Sequence, residues 1–151
     1  MVGSLGRIFT ADDFGKQPRG PRLFDFWLAK RPLENPLGPF DVELREPPDE
    51  ELLRHVNDLV AFVSLEYDGV LNQVYEHYRR TAEDKFWMET SGVPRRLPEH
   101  LVTHYLRSRT IVVLRNRNGQ IVSTIYLSSR WDVEHGILLG VVNGRAVPQD
   151  L

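Results

Sequence analysis

The strongest constraint on this chain is an apolar stripe that begins behind Pro47-Pro48-Asp49-Glu50-Glu51. Leu52, Val56, Leu59, Val60, Val63, Tyr67, Val70, Leu71, Val74 and Tyr78 follow in steps of four, three, one and three. Those steps place every side chain on one stripe of a 3.6-residue helix. The double proline suits a helix entry, because a first-turn position needs no N–H, and the acids behind it favour the positive end of the helix dipole. The sequence therefore predicts a helix to about Arg80, kinked or divided at Gly69, since glycine costs about 1 kcal/mol against alanine inside a helix. A stripe this long has to be covered, and the rest of the chain must supply the cover.

The cover is legible downstream. Glu83 to Pro94 reads as a connector pinned by Phe86, Trp87 and Met88, and Pro98-Glu99-His100 opens a short helix ending near Leu106. The period then changes to that of strands. Thr110 to Leu114 is β-branched and apolar, Gln120 to Leu127 carries Ile121, Val122, Ile125 and Tyr126, and Asn118-Gly119 lies between them. That residue pair suits a two-residue type I′ hairpin, whose central positions both need positive φ. A second hairpin runs from Gly136 to Val142, through Asn143-Gly144, to a short arm stopped by Pro148.

Upstream, seven of the ten prolines fall between Pro18 and Pro48, which points to short edge strands at Leu23 to Leu28 and Phe40 to Arg45. The predicted fold class is α+β. An antiparallel sheet, made of the C-terminal meander and N-terminal edge strands, carries one long or kinked helix and one short helix on one face. One domain spans residues 1–151, with 1–22 as an irregular N-terminal segment.

Composition narrows the function classes. The absence of cysteine removes disulfides, a thiol nucleophile and thiolate metal sites. No apolar segment follows the N-terminus in the manner of a signal, and the longest apolar stretch, Ile137 to Val142, is far short of the roughly 20 residues a membrane span needs. A cytoplasmic protein with no membrane partner is expected. The net charge of −2 argues against nucleic acid, whose binding is driven by phosphate neutralisation. Charge is nonetheless uneven. Arg95, Arg96, Arg107, Arg109, Arg115 and Arg117 stand against Glu99 alone, whereas Asp41, Glu43, Glu46, Asp49, Glu50 and Glu51 stand against Arg45 alone. Such runs are most often solvated faces; the acidic one is the candidate partner-binding surface.

Sites for chemistry are sparse. His100 and His104 have the i, i+4 spacing that turns two imidazoles toward a metal, but Glu99 precedes them rather than lying between, and no third ligand is marked. Gly-x-Ser-x-Gly, a Walker loop and Gly-x-Gly-x-x-Gly are all missing. No catalytic residue and no cofactor are predicted, and the chain reads as a binding protein rather than an enzyme. Two alternatives stay open: a metal-dependent hydrolase using His100 and His104, and a small-molecule site between helix and sheet lined by Trp27, Trp87 and Trp131.

The most distinctive string is Trp131-Asp132-Val133-Glu134-His135-Gly136, leading into an apolar strand and Asn143-Gly144. Trp131 reads as an apolar anchor whose indole N–H wants a partner. Asp132, Glu134 and His135 suit local backbone bonds, so the motif reads first as structural. Trp131, Asp132, Glu134, His135, Gly136 and Asn143-Gly144 also resemble the C-terminal pattern of small bacterial α+β domains found among polymorphic-toxin immunity proteins. That resemblance implies an α+β fold and a non-enzymatic role: binding a cognate toxin and blocking its active surface. The proline-rich N-terminal third departs from the pattern.

Overall fold

A computed structural model of the chain describes residues 8–18, 20 and 24–149. Leu23, where the first strand was expected to begin, and the side chains of Phe86 and Trp87 lie outside the described residues, as do 1–7 of the expected N-terminal segment. The fold is α+β. A seven-stranded, mostly antiparallel sheet runs β1 (Phe14–Gln17), β2 (Phe26–Ala29), β3 (Asp41–Leu44), β4 (Leu106–Arg115), β5 (Ile121–Ser129), β6 (Ile137–Val142) and β7 (Arg145–Pro148), in that order across the sheet. Strand β3 runs parallel to β4, Asp41 opposite Thr110 and Leu44 opposite Val113. A parallel pair needs a crossover. Here it is helical, through α1 (Glu50–Leu65), α2 (Tyr67–Ala82), α3 (Lys85–Ser91) and a 3-10 helix (Glu99–Tyr105).

The stripe is buried as its spacing predicts except at Tyr67, which is exposed, and Leu71, which is half-buried. Leu52, Val56, Leu59, Val60, Val63, Val70, Val74 and Tyr78 are all buried, against Phe40, Val42 and Leu44 from the N-terminal third and Ile111, Val113, Ile125, Leu127 and Leu139 from the meander. The division falls at Glu66, however, not at Gly69. Glu66 leaves helical geometry at φ −110° and ψ 29°, its N–H bonds to the Phe62 carbonyl, and Gly69 sits inside the first turn of α2. The seven-residue step from Val63 to Val70 holds no buried side chain, so packing places no demand on the chain there.

Three further expectations shift. Pro47 and Pro48 precede α1 rather than entering it. The N-cap is Asp49, whose carboxylate accepts the Leu52 N–H at 2.8 Å. The proline-rich third supplies two inner strands rather than edge strands, β2 between β1 and β3, and β3 between β2 and β4, where Pro39 and Pro47 flank β3 and leave its N–H groups free for two ladders. The N-terminal edge strand is instead β1, which lies before Pro18 and within 1–22, the segment expected to be irregular. The connector after Glu83 is helical from Lys85 to Ser91 and buries Met88.

The two Asn-Gly turns are not alike. Asn143 (φ 51°) and Gly144 (φ 72°) form the expected two-residue turn. At the first hairpin Gly119 has positive φ and Asn118 does not. Asn116 pairs with Gln120, and its side-chain oxygen accepts from the N–H groups of Asn118 at 2.9 Å and Gln120 at 3.0 Å. That side chain organises a three-residue loop ending in a left-handed glycine. No helix among the described residues is long and apolar enough to cross a membrane.

Candidate functional site

The acidic run does not form one surface. Glu43 and Arg45 share the side of β3 turned away from the helices, and Glu43 is 4% exposed, held by Arg45 Nε at 2.7 Å. Arg45 in turn stacks on the Phe24 ring at 3.9 Å. Glu46, Asp49 and Glu51 converge on Arg115 at 2.7, 2.9 and 3.1 Å. The backbone N–H of Leu52, and then Arg115, hold the Asp49 carboxyl below the usual carboxylate range, while the surrounding carboxylates push Arg115 up. The cluster ties the start of α1 to the end of β4. Three carboxylates around one guanidinium still leave an acidic surplus, to which the exposed Glu50 adds, while the exposed Asp41 lies at the other end of β3 beside Thr110.

The arginine run is dispersed as well. Arg109 is pointed inward, donating to the carbonyls of Leu37 and of Thr103, and burial lowers its pKa. Arg95 reaches the Ala82 carbonyl at 3.4 Å, and Arg96, Arg107 and Arg117 are exposed on separate elements. His100 and His104 are exposed on a 3-10 helix, where residues three apart eclipse and residues four apart diverge by a third of a turn. Among the described residues no three His, Asp or Glu are grouped to hold a metal ion.

The Trp131 to Gly136 string is the tightest polar assembly. Trp131 is fully buried, edge-on to Tyr78 with ring centroids 5.4 Å apart, and its indole N–H donates to Nδ1 of His77 at 3.0 Å. Asp132 is 9% exposed. Its N–H donates to Ser129 Oγ at 3.2 Å, and its Oδ1 receives the His135 N–H at 3.2 Å with His135 Nδ1 at 3.0 Å. Gly136 lies under the Tyr126 ring, where any Cβ would collide with the aromatic carbons. Tryptophan, aspartate, histidine and glycine each have a local physical reason at their places. His77, five residues before the end of α2, is the member that no sequence pattern marked.

A second feature emerges from the tertiary structure. The helices cover one side of the sheet, and no helix among the described residues lies on the other, the open face. Along β4, Ile111 and Val113 point into the core, while Val112 and Leu114 point out and stay half-buried. With Leu138 and Tyr126, which is 36% exposed, they line a depression of about 510 Å³ whose polar members include Glu43 and Arg45. The signal was present as the unbroken apolar run from Ile111 to Leu114, since a strand wet on one face normally alternates. Trp131 belongs to the core and Trp27 packs against its edge. The Trp87 side chain lies outside the described residues.

No protein-family model, no curated protein and no solved structure matches the chain.

Proposed function

We propose that this chain is a stoichiometric protein-binding module of the cytoplasm, with no chemistry of its own, and that it docks its partner on the open face of the sheet. The observation that carries this reading is a group of apolar side chains on a face that no helix among the described residues covers. Val112, Leu114, Leu138 and Tyr126 stand where an isolated antiparallel sheet would present polar side chains to water. The acidic surplus around Arg115, with Glu50, supports fast encounter with a basic partner rather than anchoring it. The resemblance of the Trp131 to Gly136 string to immunity proteins favours a cognate toxin as that partner.

The test mixes the purified chain with the product of the adjacent gene and follows binding by calorimetry. A one-to-one complex is expected, weakened at least about tenfold by Val112→Asp, and slowed in association rather than dissociation by Glu50→Lys. Absence of a complex at micromolar concentration, or unchanged affinity in Val112→Asp with the fold intact, would sink the proposal.

A further inference from the structure

The polar assembly around Trp131 has a property that its separate bonds do not. An indole N–H can only donate, so His77 Nδ1 must offer a lone pair, and a neutral imidazole then carries its proton on Nε2. That Nε2 lies 4.0 Å from Asp132 Oδ2, while Oδ1 of the same carboxylate is taken up by His135. An Nε2 that bears a proton has no lone pair to give a metal, so the cluster is not a cation site through His77. A second proton, on Nδ1, would set N–H against N–H. It would strip the buried indole of its acceptor and leave the imidazolium facing the nearest carboxylate.

We infer that His77 is a proton-operated latch for the Trp131 indole, neutral when it holds the indole and, once protonated, turned to Asp132 with the indole released and the Trp131 to Gly136 loop rearranged. The charged and titratable groups that face it come from two sides. Asp132, Glu134 and His135 belong to the loop, while Arg80 and Asp84 follow His77 in and just after α2, and together they line a cavity of about 470 Å³. Burial favours the neutral ring, Asp132 opposes that effect, and Arg80 and His135 reinforce it. The neutral latch is therefore the resting form and acid the trigger. Because the Tyr126 ring closes over Gly136, the latch adjoins the open face of the sheet.

The decisive variant is His77→Asn. Its carbonyl oxygen takes the place of Nδ1 as an acceptor for the indole but does not titrate. The measurement is nitrogen-resolved NMR of the full chain between about pH 7.5 and 5, the range in which imidazoles change charge. The His77 ring signals and the Trp131 indole N–H are followed, with exchange corrected for its intrinsic pH dependence. In the native chain His77 should be the Nε2–H form at the upper limit. As it protonates, indole exchange should quicken about tenfold or more, as befits a buried donor left without a partner, together with shifts in the 131–136 amides. In His77→Asn exchange should stay slow throughout, and His135→Ala should keep the response. An indole that stays protected while His77 titrates, or a response that persists in His77→Asn, overturns the latch. Should that variant fail to fold, an Nδ1–H tautomer of His77 in the native chain overturns it alone.

Discussion

At the middle of β4 the two faces of the sheet carry the same kind of residue and live in different surroundings. On β4, Ile111 and Val113 meet the helices and are wholly buried, whereas Val112 and Leu114, one position away, meet nothing that fully covers them. Beyond that pair the open face also carries Glu43, Thr110 and Thr124, against Val42, Ile111 and Ile125 in the core, and the crossover decides which face the helices cover. By passing through α1, α2 and α3 between two parallel strands, the chain places every long helix on one side. Val112 and Leu114 on the other side have no helix over them among the described residues, and these are the side chains the proposed docking would use.

The comparison is broken most directly at its strongest anchor. Trp131→Ala should destabilise the chain by about 3–5 kcal/mol, because it empties a filled site against Tyr78 and leaves His77 Nδ1 without its donor. Urea denaturation gives the value, and a loss below about 1 kcal/mol would show that the covered face is not the core. The sharper test uses neighbours on one strand. Val113→Thr buries a hydroxyl and should cost about 1–3 kcal/mol, whereas Val112→Thr should stay within about 0.5 kcal/mol. Equal costs would mean that the two faces do not differ in burial.

The smallest effect is one of pH. The folded-state pKa of His77 is pushed below its ordinary value, mainly by burial. As pH falls the unfolded chain takes up the proton first. The stability tied to the neutral ring is thus complete above about pH 6.5, and it declines from there down through the folded-state value. The urea midpoint should drop over that interval in the native chain and flatten in His77→Asn. A midpoint equally steep in both would assign the dependence to another group.

Legibility in the sequence tracked the range of the interaction responsible. The helix stripe, the entry acids at Asp49 to Glu51 and the turn at Asn143-Gly144 all act within a few residues, and all were readable. The type of the first hairpin was misread because the Asn116 side chain, two residues before Asn118, organises that loop. At the candidate sites the gap is wider. Six acids close in sequence divide into Glu43, paired with Arg45 on the open face, a cluster of Glu46, Asp49 and Glu51 around Arg115, and the exposed Asp41 and Glu50. The cluster's cation is more than sixty residues from its carboxylates in the chain. The Trp131 string was visible, but its partner His77 lies 54 residues upstream on another element.

Periodicity and turn chemistry by themselves determined that this protein lays an amphipathic helical stripe over an antiparallel meander, because burying an apolar stripe and satisfying a turn are demands each segment makes on its own. Only the tertiary structure decided which face of the sheet would be left open, which arginine would gather the acids, and which histidine would receive the tryptophan. Those choices depend on the parallel seam between β3 and β4, where residues distant in the chain become neighbours.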